Sequence, residues 1–331
     1  MGLKKRALIT GISGQDGSYL AELLLSKGYE VHGMVRRVAL EDPERRLGRI
    51  LHILDRVHLH AAALESPASV LKVVEESQPD ECYHLAAQSF VSYSFEDESS
   101  TLQTNIIGTQ HVLSAIKSRV PNCHFYFAAT SEMFGSSKER PQRETTRFEP
   151  VSPYAVSKVA GYELTHYYRK AHKIHASCGI LFNHESPRRG LEFVTRKITS
   201  GVAAIWAQRQ KTIRLGNLDA RRDWGHARDY VEAMWLMLQQ PEPGDWVIAT
   251  GEDHSVRDFV EAAFACVGLD WRDYVQIDPA YFRPAEVEHL VGDASKARRE
   301  LAWENRTTFR ELVQEMVEAD CRLMGVQLGR K

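Results

Sequence analysis

Residues 6–25, "RALITGISGQDGSYLAELLL", decide the fold of this chain. The apolar run "RALIT" predicts a buried strand, and the leucines of "GSYLAELLLSKG" share one face of a helix that we expect to end at Gly28. Gly11, Gly14 and Gly17 lie in the turn between them, where glycine lets the backbone approach a pyrophosphate at the positive end of the helix. Glycines also occur in ordinary turns, but a strand before them and a helix after them favour a dinucleotide site.

The rest of the first half repeats this alternation of strand and helix. We predict further strands at "YEVHGMV", "VHLHAAAL", "ECYHLAAQ", "CHFYFAAT" and "ASCGILFN", with helical segments between them. A long helix is expected to begin after the cap Ser152, with Pro153 in its first turn. Strands this continuously apolar, each followed by a helix, predict an α/β fold with a doubly wound parallel sheet covered on both faces.

The pattern of the sequence changes after Asn183, where basic, turn-rich segments replace the regular alternation of strands and helices. We predict a Rossmann-type dinucleotide-binding domain over residues 1–183. Residues 225–250, which contain the helical segment "DYVEAMWLMLQQ" and the strand "DWVIAT", are expected to return to it. Residues 184–224 and 251–331 are predicted to form a smaller, interleaved α/β substrate-binding domain, because no low-complexity linker separates the two parts.

Composition excludes several classes of protein. The 331 residues are 43% hydrophobic, enough for a large core, and the net charge of −2 provides no basic field for nucleic acid or an anionic membrane. The sequence contains no run of about 18 apolar residues, so it predicts no membrane-spanning helix. Its N-terminus predicts a strand rather than a signal peptide. The five widely spaced cysteines fit neither a disulfide framework nor a metal site, so we predict a soluble, cytoplasmic protein without a metal.

Tyr154 and Lys158 are four residues apart and share one face of the predicted long helix. A lysine ammonium beside a phenol stabilises the phenolate, so we expect Lys158 to lower the pKa of Tyr154 and make it a general acid or base. A Tyr-x-x-x-Lys pair often arises by chance on a solvated helix. Its place after the fifth predicted strand favours a catalytic pair.

Thr130 and Glu132 follow the apolar run "FYFAAT" at the end of the fifth predicted strand. Loops at the carboxyl ends of parallel strands are where such folds bind ligands. Thr130 can hydrogen-bond a reacting hydroxyl or carbonyl group, and Glu132 adds a carboxyl group that can move protons. The alternative is a glutamate that caps or solvates a loop, and the spacing alone leaves both interpretations open.

Arg36 and Arg37 stand at the end of the second predicted strand, where NAD-specific proteins hold an acidic residue for the ribose hydroxyls. An arginine there suits a 2′-phosphate, and the sequence therefore favours NADP as the cofactor. The alternative is that both are surface arginines opening the charged segment "RRVALEDPERRLGR".

Assembled, these motifs show a resemblance to a known family. The chain resembles the extended short-chain dehydrogenase/reductase superfamily and, within it, is similar to the GDP-mannose 4,6-dehydratases. The most specific segments are "TGISGQDGSYLAELLL", "TSEMFG", "SPYAVSK", "FNHESPRRG", "RDWGHARDYV" and "YFRPAEVEHLVGD". The resemblance covers nearly the whole chain and implies an NADP-dependent conversion of GDP-α-D-mannose to GDP-4-dehydro-6-deoxy-α-D-mannose and water.

The resemblance also implies a role for each candidate catalytic residue. Tyr154, assisted by Lys158, would take the proton of the sugar C4 hydroxyl while the C4 hydride passes to NADP⁺. Glu132 would then remove the C5 proton and help water leave C6, after which the hydride returns to C6 and Tyr154 or a neighbour reprotonates C5. Thr130 would hold the C4 oxygen, supported by Ser131.

The remaining site residues are likewise implied by the resemblance. The cofactor would be bound by Gly11, Gly14, Gln15, Asp16, Gly17, Arg36, Arg37, Leu64, Leu85, Ala87, Ser89, Tyr154, Lys158, His184 and Arg189. The GDP-sugar would be bound by Ser89, Thr130, Ser131, Glu132, Asn183, Val194, Lys197, Asn217, Arg222, Arg283 and Glu286. Arginine and lysine fit a diphosphate, although each basic residue taken singly also fits ordinary surface charge, and His184 also fits a structural role.

Two departures from the family pattern affect cofactor binding and assembly. Ala63 replaces the aspartate that usually contacts adenine, so adenine recognition would rest on backbone groups or another side chain. "VALEDPERRLGR" replaces a serine-rich segment after Arg37 that in relatives helps to join dimers into tetramers. We predict a homodimer through the helix of Tyr154 and the helix after the fourth strand, and leave a homotetramer open.

Three other functions stand beside this prediction. One is the same dehydration of another GDP-sugar such as a GDP-manno-heptose, because one extra hydroxymethyl group changes only the shape of the pocket. A GDP-sugar epimerase or 4-keto reductase would not need Glu132 for an elimination. A catalytically silent nucleotide-binding protein on the same fold would need neither Glu132 nor the pair of Tyr154 and Lys158.

Overall fold

The computed structural model describes residues 4–282, 287 and 289–328. Its strands, in chain order, are β1 (Arg6–Thr10), β2 (Glu30–Val35), β3 (Val57–Ala61), β4 (Glu81–His84), β5 (His124–Thr130), β6 (Ala176–Leu181), β7 (Asn183–Glu185), β8 (Ile213–Leu215), β9 (Arg221–Arg222), β10 (Trp224–His226), β11 (Asp245–Ile248), β12 (His254–Ser255), β13 (Val275–Ile277) and β14 (His289–Leu290). Its α-helices are α1 (Gln15–Ser26), α2 (Arg37–Glu41), α3 (Pro43–Arg46), α4 (Pro67–Ser77), α5 (Val91–Glu96), α6 (Glu98–Leu102), α7 (Gly108–Arg119), α8 (Pro153–His172), α9 (Val194–Trp206), α10 (Ala227–Leu238), α11 (Val256–Ala265), α12 (Ser295–Leu301) and α13 (Phe309–Leu323). A π-helical turn covers Gln103–Ile107, and 3₁₀ turns cover Leu51–Arg56, Ser131–Met133, Trp271–Asp273 and Pro279–Tyr281.

A seven-stranded parallel sheet forms the centre of the molecule, with the strand order β11-β6-β5-β4-β1-β2-β3. Every neighbouring pair in it is parallel. The helices α1 and α10 pack together and against the sheet, and α4, α7 and α8 form a second packed group on it. This arrangement confirms the predicted α/β class with a doubly wound, Rossmann-like sheet.

The register of the sheet brings the carboxyl ends of its central strands side by side. Thr10 of β1 pairs with Met34 of β2 and His84 of β4, and Thr130 of β5 pairs with Leu181 of β6. The strand order reverses at β1, so the turns after β1 and β4 diverge and leave a crevice. The segments that follow these strands therefore meet at one edge of the sheet.

Several local predictions have a direct counterpart in the fold. The first strand begins and ends where the sequence places it, and Gly28, at φ +84°, follows the end of α1. The Ser152 hydroxyl accepts the Ala155 backbone N–H at 3.1 Å, with Pro153 as the first residue of α8. The single helix predicted between the fourth and fifth strands is built from α6, the π-helical turn and α7 in succession.

A second hydrophobic core lies among α9, α11 and α13, with Phe259 and Phe264 fully buried in it. Small sheets accompany it: β8 pairs with β13, and β9 lies between β12 and β14. The segment predicted to return to the first domain packs on the main sheet, since α10 contacts α1 and β11 pairs with β6. The exact residues at which one domain gives way to the other stay a prediction.

The five cysteines are free thiols, and all but Cys266 are buried. In the described part of the chain, one cluster that could hold a metal ion consists of His166, Cys178 and Asp245, with ligand atoms within 4.8 Å of one another. Arg169 donates to the Asp245 carboxylate at 2.6 Å, so a guanidinium already neutralises this cluster. No helix in the described ranges combines the length and apolar character needed to cross a lipid bilayer.

Candidate active site

A cavity of about 710 Å³ lies along the carboxyl edge of the sheet. Its walls come from the turn after β1, the ends of β2, β4, β5 and β6, and the first turns of α8. It brings together most of the predicted site residues: Gly11, Gly14, Gln15, Asp16, Gly17, Arg36, Leu64, Leu85, Ala87, Ser89, Thr130, Ser131, Glu132, Tyr154, Lys158, Asn183, His184 and Arg189. Residues predicted for the cofactor, for catalysis and for the sugar therefore share one cavity.

The glycine turn has the geometry that a pyrophosphate requires. Gly11 has φ +78°, a conformation that side chains rarely adopt, and Gly14 is the N-cap of α1. A Cβ atom on Gly17 would lie 2.3 Å from the Gly11 carbonyl oxygen, whereas one on Gly14 would lie 3.2 Å from it. The turn thus leaves bare backbone and the N-terminus of α1 facing the cavity, which fits a dinucleotide.

We expect the two glycines to respond differently to alanine. Gly17→Ala should lower the melting temperature and abolish nucleotide binding, because its Cβ collides with backbone that cannot move freely. Gly14→Ala should keep nearly the wild-type melting temperature and weaken nucleotide binding alone, because its methyl group occupies the space of the phosphate. Thermal unfolding and calorimetric titration with NADPH check both. Equal melting temperatures for the two variants would contradict the packing argument.

Thr130, Tyr154 and Lys158, which the sequence predicts to be catalytic, lie together in the cavity. Thr130 ends β5, and the other two residues lie one turn apart in α8 with 8% and 5% of their surface exposed. The Lys158 ammonium donates to the Ala128 carbonyl at 2.8 Å and lies 5.8 Å from the centre of the Tyr154 ring. Thr130 lies close enough to the Tyr154 hydroxyl to oppose the rise of its pKa.

The expected effect of Lys158 on the pKa of Tyr154 is wrong for this structure. Burial raises the pKa of Tyr154, the Thr130 hydrogen bond opposes that rise, and the Glu132 carboxylate adds to it. Burial also lowers the pKa of Lys158 to about 8, with the charge of Asp16 opposing. Both shifts have the same main cause, the burial of this pair in the cavity.

Glu132 lies inside the cavity rather than on a solvated loop. It sits in the 3₁₀ turn Ser131–Met133 directly after β5, with 7% of its surface exposed. Its backbone N–H donates to the Thr130 hydroxyl at 3.3 Å, which ties the turn that carries Glu132 to the end of β5. Its burial contradicts a solvated glutamate, and the cavity holds a carboxyl group near the phenol; its role in moving protons stays a prediction.

Gln15, Asp16 and His184 form a hydrogen-bonded group between the glycine turn and β7. The His184 Nε2 atom lies 2.8 Å from the Asp16 carboxylate, and the Gln15 amide donates to the His184 carbonyl at 3.0 Å. Burial disfavours both charges, but their mutual attraction dominates, raising the pKa of His184 and lowering that of Asp16. His184 also stacks on Tyr230 of α10 at 4.6 Å. Both proposed uses of His184, structural and cofactor-lining, are compatible with this position.

Other predicted residues lie outside the cavity. Arg37 is the first residue of α2, and its side chain, 86% exposed, pairs with Glu41 at 3.2 Å outside the cavity; its contact with the cofactor stays a prediction. Four further predicted substrate residues lie in the second half of the fold. Val194 and Lys197 lie at the start and in the first turn of α9, Asn217 follows β8, and Arg222 ends β9. Arg283 and Glu286 lie outside the described residues.

Sequence reasoning missed several residues that line the same cavity. Arg45 and Arg46 of α3 and Arg49 after it face the end formed by β2 and β3. Their signal was present as the basic run "RRLGR", which the sequence alone assigns equally well to a solvated surface. Glu65 also lines this end, two residues beyond Ala63, and its carboxylate accepts the Thr104 hydroxyl.

Comparison with known proteins agrees with the site. The family model described as GDP-mannose 4,6 dehydratase matches residues 8–316. The human GDP-mannose 4,6 dehydratase is 48% identical, covering 96% of this chain and 92% of the relative, and GDP-mannose 4,6 dehydratase 2 of Arabidopsis thaliana is 50% identical, covering 97% and 88%.

Two solved structures show the same fold at low identity. The dTDP-glucose 4,6-dehydratase DesIV from Streptomyces venezuelae, with bound NAD, has a TM-score of 0.84 at 22% identity over 97% of this chain and 98% of its own. The Pseudomonas aeruginosa protein RMD, complexed with NADPH, has a TM-score of 0.80 at 21% identity over 96% and 100%.

Proposed function

This chain belongs to the GDP-mannose 4,6-dehydratase family, and on that premise we propose that it converts GDP-α-D-mannose to GDP-4-dehydro-6-deoxy-α-D-mannose and water. The observation that carries the proposal is the position of Glu132, buried in one cavity with Thr130, Tyr154 and Lys158. A dehydrogenase or epimerase needs a phenol and an ammonium group, whereas an elimination also needs a carboxyl group at the sugar.

The first half of the reaction is the oxidation of C4. A bound nicotinamide cofactor would supply the redox chemistry by accepting a hydride from C4 and returning it to C6. Tyr154 takes the proton of the C4 hydroxyl, and Thr130, which ends β5 in the same cavity, is placed to hold the C4 oxygen. Lys158, whose ammonium donates to the Ala128 carbonyl at 2.8 Å, lies 5.8 Å from the centre of the Tyr154 ring and is the residue that we propose to assist this proton transfer.

The second half is the loss of water across C5 and C6. A ketone at C4 acidifies the C5 proton, which Glu132 removes; the C6 hydroxyl then leaves as water with a proton from the same carboxyl group. Tyr154 or a neighbouring group returns a proton to C5, and Ser131, buried beside Glu132, supports the oxygen at C4. The same carboxyl group thus acts as base and then as acid, which balances the protons of the elimination.

We propose NADP as the cofactor. A nicotinamide cofactor is supported by the glycine turn, and the related structures carry NAD or NADPH. NADP in particular is supported by Arg36, which lines the cavity where an acidic residue would favour NAD. The predicted cofactor residues that line the cavity would bind it, from the glycine turn to His184 and Arg189.

The GDP-sugar would lie between this cavity and the second core. Asn183 lines the cavity, and Lys197 on the first turns of α9 lies 3.2 Å from the centre of the Tyr281 ring. Val194, Asn217, Arg222, Arg283 and Glu286 complete the proposed set, with the arginines meeting the diphosphate. We further propose the two-domain division given above, a homodimer through α8 and the helices after β4, and a cytoplasmic location.

One assay tests the reaction. The purified chain is incubated with GDP-mannose and a catalytic amount of NADP⁺, and mass spectrometry follows the loss of one water per sugar nucleotide. We expect product without net consumption of the cofactor. Product from a GDP-manno-heptose alone would keep the mechanism and overturn the substrate. A change of configuration without loss of water would favour the epimerase, and no turnover of any GDP-sugar would overturn the proposed function.

A further inference from the structure

Asp223 is fully buried and lies between two short strands that belong to different sheets. Arg222, directly before it, ends β9, which lies between β12 and β14 in a small sheet. Trp224, directly after it, begins β10, which pairs with β7, the strand that begins at the cavity residue Asn183. Asp223 therefore joins the strand of a proposed substrate arginine directly to a strand at the cavity.

The Asp223 carboxylate accepts hydrogen bonds from two segments that follow other strands. One oxygen, Oδ1, accepts the Thr250 backbone N–H at 2.9 Å and the Thr250 hydroxyl at 2.7 Å. The other, Oδ2, accepts the Gly251 N–H at 2.9 Å and the Gly292 N–H at 3.3 Å. Thr250 and Gly251 follow β11 of the main sheet, and Gly292 follows β14. One carboxylate thus ties the main sheet to the small sheet that contains Arg222.

The charge of Asp223 is explained by the number of donors that converge on it. Among the residues that the structure describes, Asp223 makes no ion pair, and burial raises its pKa to about 6 while the four hydrogen bonds oppose that rise. The group is therefore ionised at pH 7. A buried carboxylate is costly, but it only accepts hydrogen bonds, whereas an amide would turn an NH₂ group toward some of these donors. This position thus requires an acceptor on both oxygens.

Gly292 packs directly on the main sheet because it has no side chain. A Cβ atom on Gly292 would lie 2.4 Å from the Ala249 Cβ atom and 2.7 Å from the Phe182 ring. Phe182 lines the cavity, and Ala249 directly follows β11. The N–H of the same glycine meets Asp223, and β14 pairs with β9. The contact between Gly292 and Asp223 therefore also places β9 against the main sheet.

We infer that Asp223 is a positioning residue for the sugar nucleotide: its carboxylate holds the segments after β11 and β14 together and so fixes the place of Arg222 relative to the cavity. The inference rests on the proposed function, in which Arg222 meets the diphosphate of the GDP-sugar. The glycine turn proposed for the cofactor takes no part in these contacts. Loss of the contacts should therefore weaken binding of the sugar nucleotide and spare the nicotinamide cofactor.

The test compares GDP with NADPH as ligands of the nucleotide-free full chain. Calorimetric titrations give both affinities for the wild type, for Asp223→Asn and for Asp273→Asn. Asparagine offers one acceptor oxygen in place of two, so its NH₂ group faces N–H donors on one side. We expect Asp223→Asn to bind GDP about 10-fold more weakly, as for one lost hydrogen bond to a charged group, and NADPH within about twofold of wild type. Asp273→Asn, at an exposed aspartate outside the cavity, is the matched control and should change neither affinity.

A double-mutant cycle determines whether Asp223 acts through Arg222. Arg222→Ala should weaken GDP binding by itself. Adding Asp223→Asn to it should change the GDP affinity by less than about twofold, because the group that Asp223 positions is already gone. A purely structural role would give additive losses instead. Circular dichroism confirms that each variant is folded, and Thr250→Val, which removes one donor to Asp223, repeats the comparison with a milder change and an expected loss of about threefold in GDP affinity.

Three outcomes would overturn the inference: an unchanged GDP affinity in Asp223→Asn, equal losses of GDP and NADPH affinity, or additive losses in the cycle. These outcomes in a chain that dehydrates GDP-mannose normally would contradict the role of Asp223 alone. A wild type that binds GDP and fails to dehydrate GDP-mannose would contradict the proposed reaction and leave that role standing. A wild type that binds no GDP would overturn both.

Discussion

Glu132→Gln is expected to stop the reaction after the oxidation at C4. The amide cannot accept the C5 proton or donate one to the leaving hydroxyl, so turnover of GDP-mannose should fall about 10³-fold, within the usual range for a lost general acid–base. The oxidation depends on Tyr154, Thr130 and Lys158, which the substitution leaves in place. Reduced cofactor should therefore accumulate to about one equivalent per site when substrate is added.

Two measurements separate this outcome from simple damage. The absorbance of the reduced nicotinamide follows the first half of the reaction, and incorporation of solvent deuterium at C5 follows the second. The variant should show the first signal and lack the second. Glu242→Gln, an exposed glutamate after α10, is the matched control and should behave as the wild type. Normal turnover of the Glu132 variant would refute the role given to this carboxyl group.

The backbone of the site follows closely from the sequence, for identifiable reasons. "RALIT" is flanked by charge on one side and glycine on the other, so both ends of β1 are fixed by chemistry that the sequence displays. Ser152 and Pro153 fix the start of α8 in the same way. "VHLHAAAL" is less well defined: β3 ends at Ala61, and His58 is exposed because β3 is an edge strand.

The sequence predicts the side-chain environments of the site less well than the backbone, because these environments are formed by distant segments. Arg36 and Arg37 are neighbours in sequence, yet α2 begins between them, sending one into the cavity and the other into solvent. Arg45 and Arg46 reach the cavity only because Leu47 is buried in the main core. The spacing of Tyr154 and Lys158 predicts that they share one helix face, whereas their burial is known only from the fold.

Lys158→Met should abolish most of the activity and stabilise the protein freed of nucleotide. The buried ammonium is costly: the fall of its pKa from 10.5 to about 8 corresponds to about 3 kcal/mol at neutral pH. Methionine fills the same space without the charge but leaves the Ala128 carbonyl without its hydrogen bond, which costs about 1–2 kcal/mol. We expect a net gain of about 1–2 kcal/mol at pH 7, with turnover lowered about 10²–10⁴-fold.

The difference in stability between Lys158→Met and the wild type should depend on pH. Below pH 8 the Lys158 ammonium is charged in both the folded and unfolded chains, so the penalty is constant. Between about pH 8 and 10.5 the unfolded chain retains the proton that the folded chain has lost, so wild-type stability rises relative to the variant. Denaturant unfolding across this range should show the advantage of Lys158→Met shrinking and then reversing as the missing hydrogen bond dominates. Lys170→Met, which removes an exposed ammonium from the same helix, should show no such trend. An advantage of Lys158→Met that stayed constant to pH 10.5 would contradict the buried charge on which the account of the Tyr154 pair depends.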